Sequence, residues 1–256
     1  MYKRIKISIL QTQTKEKRIG LTPPHTNWSP GLLGVLRRPA PLKLQRGFFT
    51  KCLASGLRVG PHRKEIIDTL VGSLLGDSWG EKRGDAVRFH LHYSSKNVEY
   101  LEHLQQFFAR NGYCSSEKVK KTKQIGKGGK LYYSLKIRTY SFKSFQYLYN
   151  AFYTEGKRKV VPREVSKWLS AKGLAIWIMD NGGVSNQGFK LSTESFTREE
   201  LDLLKEGLLD NFGLCFTVQK HKDKWILYLS KKQQTLLTEI VKPFMLPCMY
   251  YKIRLS

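Results

Sequence analysis

Two nine-residue stretches hold the polar groups best placed to do chemistry, Leu70-Val71-Gly72-Ser73-Leu74-Leu75-Gly76-Asp77-Ser78 and Leu174-Ala175-Ile176-Trp177-Ile178-Met179-Asp180-Asn181-Gly182. Each is an apolar run that reaches a polar or acidic residue at its eighth position, Asp77 in the first and Asn181 in the second. Gly72 and Gly76 stand four apart, so on a helix they leave one smooth face where another backbone can approach closely. Two such helices side by side would bury their apolar faces and bring their polar ends together. An acid at a helix C-terminus opposes the helix dipole and is mildly unfavourable there, so function is expected where the two ends meet. A second group of chemistry-bearing residues alternates along strands. Period two in Ala86–Tyr93 and Leu131–Arg138 puts Arg88, His90, His92, Lys136 and Arg138 on one polar face, opposite Phe89, Leu91, Leu135 and Ile137. Side chains of these types contact phosphates and base edges of either nucleic acid.

The elements that must hold these groups follow from the hydrophobic pattern. Glu65–Trp79 reads as the first motif helix, Ala86–Tyr93 as a half-buried strand, and Tyr100, Leu101, Leu104, Phe107 and Phe108 as a helix closed by Asn111-Gly112. A basic, Gly-bearing loop interrupts a hairpin whose second strand is Leu131–Arg138, and Phe142–Phe152 gives a further helix. After a basic connection, Gly156–Pro162, come the second motif helix and a strand at Gly188–Thr193. Thr197 and Glu200 form a capping box before a Leu-rich helix that Gly213 stops. Cys215–Val218 and Trp225–Leu229 form a hairpin around a turn flanked by Lys220 and containing Lys222, both expected to contact nucleic acid, and a last helix runs to Pro243. Helix, strands, helix, hairpin, helix thus occurs twice. The expected fold class is α+β, a pseudo-dimer in one polypeptide, with a first repeat at 63–162 and a second at 163–256.

Composition names the partner class. The 256 residues hold 45 Lys+Arg against 20 Asp+Glu, a net charge of +25, with 41% hydrophobic residues for a core. Such a charge repels itself unless a polyanion is near, which makes nucleic acid the leading partner. Residues 1–62 carry 12 Lys+Arg, among them Arg37 and Arg38, one acid (Glu16) and six of the nine prolines. They read as an extended basic arm; the acid-poor composition also fits an organelle transit peptide, though serines are few and no amphipathic helix stands out. The four cysteines form no CxxC and no His stands at zinc-finger spacing, so no metal–thiolate site is expected. The Gly-rich loop lacks the GK[ST] of a phosphate-gripping loop. No apolar run approaches the roughly 20 residues that span a bilayer, and membrane insertion is not expected.

The two motifs, at this separation and with these flanks, resemble the LAGLIDADG homing endonucleases, in particular the single-chain, two-repeat branch of mitochondrial and chloroplast introns. The likeness covers about residues 64–254. Leu70–Ser78 matches the nine-letter motif with Asp77 at the place of a catalytic acid; Leu174–Gly182 matches the second copy, with Asn181 where an acid is usual. Thr193-Glu194-Ser195-Phe196-Thr197 is similar to the family's segment before the second-repeat helix, where Gln is usual rather than Glu194, and Met249-Tyr250-Tyr251-Lys252 to its closing basic motif. The resemblance implies a saddle of strands over nucleic acid and motif helices meeting above the minor groove. It further implies divalent cations, Mg²⁺ in an active enzyme, held by Asp77 and the main-chain carbonyls of Gly76 and Asp180. Lys159 and Lys252 fall where the family places basic residues near the scissile phosphates.

Asn181 departs from that pattern, because an amide oxygen brings no charge to a metal. Asp180 is adjacent, yet neighbouring helical residues point about 100° apart. Double-strand cleavage is therefore expected to be badly impaired. Two functions stay open: a metal-dependent DNA endonuclease or nickase, and a nuclease-dead RNA-binding descendant. The second would be a splicing maturase or a component of an organellar ribosome, in the mitochondrion or alternatively the chloroplast. Asn181 and the acid-poor arm favour the second.

Overall fold

The central apolar run folds as α1 (Lys64–Leu75), burying Ile66, Leu70, Val71, Leu74 and Leu75 while Lys64 pairs with Asp68 at 2.7 Å near its start. The helix is shorter than its apolar pattern suggests, because the backbone leaves the helical region at Gly76 and Trp79 already opens a strand. That strand, β1 (Trp79–Arg83), turns through Gly84 (φ 57°) and Asp85 into β2 (Ala86–Ser94). A residue with positive φ at the first central position is what a two-residue hairpin needs. Then follow α2 (Val98–Arg110), β3 (Lys121–Ile125), β4 (Leu131–Arg138) and, after a short 3₁₀ turn, α3 (Gln146–Phe152).

In this computed structural model the described residues are 58–254, apart from 95–96, 118, 120, 126–130 and 186–187. The arm as far as residue 57, with Arg37 and Arg38, lies outside them. Residues 58–62, counted above with the arm, pack on the first repeat. His62 stacks on Phe145 (4.3 Å between centroids), and its ring nitrogens lie 2.8 Å from the Tyr113 hydroxyl and 2.7 Å from that of Ser144. All described residues fall within one compact unit, 44–256.

The second half repeats the plan. A single helical turn, α4 (Val165–Trp168), precedes α5 (Ala171–Asn181), whose N-cap Ser170 accepts a hydrogen bond from the Gly173 amide at 3.1 Å. Next come β5 (Gly182–Ser185), β6 (Gly188–Leu191), α6 (Arg198–Phe212), β7 (Thr217–His221), β8 (Lys224–Ser230) and α7 (Gln234–Val241), with a closing 3₁₀ helix at Pro247–Ile253. The Thr197–Glu200 capping box forms in both directions, and Gly213 ends α6 in the left-handed region at φ 68°.

Each half holds a four-stranded antiparallel sheet, ordered β1-β2-β4-β3 in the first and β5-β6-β8-β7 in the second. The register pairs Phe189 with Leu229 and Leu191 with Leu227, all fully buried on one face, as are Phe89 and Leu91 in the first sheet. Each such side chain contributes about 1.5–3 kcal/mol on leaving water. The core faces fix which residues are left on the opposite, polar faces.

Candidate active site and nucleic-acid face

Small residues set the helix crossing. A Cβ on Gly72 would lie 2.2 Å from the Gly173 carbonyl oxygen of α5, and one on Gly76 would lie 2.5 Å from Asp180 Oδ2. Only glycine lets the two backbones approach this closely. The C-terminal ends of α1 and α5 therefore meet, and the two eighth-position residues touch: Asn181 Nδ2 donates to Asp77 Oδ1 at 3.1 Å. Two carboxylates at that separation would repel, so that one takes up a proton or a cation intervenes. The amide removes the repulsion and supplies a donor instead.

Two lysines frame this contact in matching fashion. Lys159 Nζ donates to the Gly76 carbonyl at 2.7 Å and to that of Ser78 at 3.1 Å; Lys252 Nζ donates to the Asp180 carbonyl at 3.4 Å. Burial pulls Lys159 down to about 8 against the attraction of Asp77 and Asp180, and it lowers Lys252 too. The Asp180 side chain turns inward, where Tyr93 and Tyr100 each donate to its Oδ1 at 2.8 Å. Burial raises this carboxyl to about 8, against the two tyrosine hydrogen bonds that favour its charged form.

A pair of divalent cations does not fit these residues. The exposed end of the crossing offers one carboxylate, Asp77, already accepting from Asn181, while the carbonyls of Gly76 and Asp180 take ammonium groups and the Asp180 carboxyl is enclosed. Among the described residues, no group of three or more His, Cys, Asp and Glu side chains stands at metal-binding spacing.

The polar face of the first sheet has the expected parity. His90 pairs with Arg138 and His92 with Lys136, opposite the core residues. Lys136 and Arg138 are exposed, and Arg88 and His92 are half-buried. His90 corrects its reading as an open contact. Trp79 stacks flat on it (5.0 Å, 9°) and Glu81 Oε2 sits 2.6 Å from its Nε2, so the imidazole is covered on its own polar face. Burial lowers its pKa, and that of His92. Glu81 also grips Arg88 at 2.7 Å, and this guanidinium holds the carboxyl below its usual range. Trp79 escapes the sequence reading because it closes the expected helix Glu65–Trp79, and Glu81 because it falls between that helix and the expected strand Ala86–Tyr93; their spacing of two, once Trp79 opens a strand, is the available signal.

In the second sheet the register sets Lys220 off the polar face. It pairs with Trp225 and shares its side with Val218 and Leu227, whereas Lys190, Thr217, Gln219 and Tyr228 carry the polar face. Lys220 is nonetheless exposed, since the hairpin extends beyond the core. Lys222 stands at the hairpin tip with φ 57°. The Tyr93–Asp180 and Tyr100–Asp180 contacts join residues 87 and 80 positions apart, and nothing in the local sequence announces them.

Two four-stranded sheets with polar faces, joined through helices whose polar ends meet, define a two-repeat scaffold with the homing-endonuclease fold. The sequence profile of the LAGLIDADG DNA endonuclease family matches residues 67–237, and the chain belongs to that family. It is 34% identical over 197 residues to the cytochrome b mRNA maturase bI2 of Debaryomyces hansenii (75% of each chain). It is 31% identical over 205 residues to that of Saccharomyces cerevisiae, covering 76% of this chain but about half (48%) of the yeast protein. Identity is 37% over 159 residues with the intron-encoded endonuclease ai4 of Dictyostelium discoideum, covering 59% of this chain and 98% of that protein. The homing endonuclease I-WcaI, solved bound to its DNA recognition sequence, superimposes with a TM-score of 0.69 at 25% identity, covering 76% of this chain and 88% of the other.

Proposed function

We propose that this chain is a cleavage-impaired, homing-endonuclease-like protein that binds RNA. In this reading it acts as a monomer in an organelle, the mitochondrion ahead of the chloroplast, as a splicing maturase or as part of a large ribonucleoprotein such as a ribosome. The observation that carries the reading is the Asn181 amide donating to Asp77 at 3.1 Å, which leaves one carboxylate where cleavage of two strands needs charge on both sides. The maturases among its relatives support RNA as the partner. Mg²⁺ belongs to this picture only if cleavage does.

The experiment is direct. The purified full chain with Mg²⁺ should make no double-strand breaks in a randomised DNA target library, and at most slow nicks through Asp77. Asn181→Asp restores the second carboxylate at nearly unchanged volume and should restore cutting; adding Asp77→Asn should weaken it again. Loss of one carboxylate costs a few kcal/mol of transition-state stabilisation, and about 1.4 kcal/mol is tenfold in rate. Efficient double-strand cleavage by the unmodified chain would overturn this reading. It would establish the second one, an active homing DNA endonuclease or nickase, which the similarity to ai4 and to DNA-bound I-WcaI favours.

A further inference from the structure

Beside the helix crossing, a cleft of about 1090 Å³ opens along β1. Trp79, Glu81 and Lys82 line one wall; Tyr149, Tyr153 and Lys157, from the end of α3 and the segment after it, line the other. Tyr149 and Tyr153 stack nearly parallel, 4.6 Å apart at 14°. The Tyr153 hydroxyl accepts from the Gly80 amide at 2.8 Å, which ties the ring pair to the strand. Gly80 makes room for it, since a Cβ there would meet Tyr149 Cδ2 at 2.8 Å. The Trp79 ring lies on the other side of β1, stacked on His90 with the Lys136 ammonium 5.2 Å from its centroid, so the aromatic wall is the tyrosine pair. Lys82, Asn150, Glu155 and Lys157 are exposed around the cleft, and the carboxylate of Glu81 is engaged by Arg88 and His90.

Half-buried aromatic faces bordered by cations suit a base that has left its stack, together with the phosphate attached to it. A paired base keeps its faces covered by its neighbours and has nothing to offer such a wall. Position matters as well: the cleft begins two residues after Asp77 and ends two residues before Lys159, whose ammonium sits on the Gly76 carbonyl. We propose that this cleft takes one unpaired nucleotide of RNA, its base against the aromatic wall and its phosphate toward Lys82 and Lys157. The inference rests on the RNA-binding reading and adds to it a selectivity for an unpaired over a paired base.

The test uses the full chain and two short RNA duplexes of equal length, one carrying a single bulged adenosine, compared by fluorescence anisotropy. The bulged duplex should bind about tenfold tighter, the scale of one aromatic–base stack. Ultraviolet crosslinking should map to Tyr149 or Tyr153. Asn150→Trp, which fills the cleft from an exposed position, and Tyr149→Leu should each abolish the preference and leave affinity for the paired duplex within about twofold. If Tyr149→Leu loses its fold by circular dichroism, Asn150→Trp and the crosslink decide. Equal affinity of the unmodified chain for both duplexes, or a preference that survives Asn150→Trp, overturns the cleft while leaving RNA binding in place. Absence of binding to either RNA overturns both.

Discussion

Asp180 is enclosed at the helix crossing with two tyrosines donating to one of its oxygens, and burial raises its pKa from 3.8 to about 8. Between those values the native carboxyl keeps a proton that the unfolded chain has released, so its contribution to stability falls as pH rises through that window. Lys159 has the opposite effect in the next window. Burial lowers it from 10.5 to about 8, so above pH 8 the unfolded chain binds the extra proton and this contribution rises. Together the two groups set a minimum near pH 8. Asp180→Asn keeps an oxygen for the tyrosines and removes the falling limb. We expect it to match the parent near pH 4 and to exceed it at pH 8 by on the order of a few kcal/mol, at about 1.4 kcal/mol per pKa unit. Urea unfolding of both proteins at several pH values checks this; parallel profiles would mean that Asp180 is ionised in the folded chain.

At the scale of elements, the crossing of α1 and α5 depends on Gly72. Alanine would favour the helix itself by about 1 kcal/mol, but its methyl would stand 2.2 Å from the Gly173 carbonyl, a backbone atom that cannot step aside. Gly72→Ala should therefore lower stability by about 1–3 kcal/mol, the range for an overpacked contact, and shift the urea midpoint down. It should also separate Asn181 from Asp77. This close approach was legible in the sequence, because the spacing of Gly72 and Gly76 is a helical one and needs no tertiary information. So were β4, where alternation runs unbroken from Leu131 to Arg138, and the α6 start, where Thr197 and Glu200 act locally. The strands β1 and β5 were not. Trp79–Arg83 and Gly182–Ser185 are short, directly follow the motif helices and lack a run of alternating apolar residues, so pairing with β2 and β6 defines them. His90 was misjudged for the same reason: its parity is right, but its cover comes from β1.

For the whole molecule, charge is the dominant property, and the N-terminal stretch carries a disproportionate share of it. Residues 1–62 hold 12 Lys+Arg and one acid. Since Arg58–His62 packs on the first repeat, with the Lys143 amide donating to the Arg58 carbonyl at 3.0 Å and His62 among Tyr113 and Phe145, a clean truncation ends at residue 57. Removing Arg58 from the twelve leaves eleven cations in the deleted piece. Contacts of this kind act through phosphate and release counterions, so they add affinity that is steep in salt and blind to sequence. If about six of the eleven reach phosphates, deletion of 1–57 should flatten the log–log salt dependence of RNA binding by roughly four to five units, at about 0.7–0.9 per contact. The unpaired-base preference assigned to the β1 cleft should persist, because Tyr149 and Tyr153 stay where they are. A titration of both chains across a salt series measures slope and preference at once. An unchanged slope would assign the arm to contacts with protein instead, and a lost preference would place the base-selective surface on the arm.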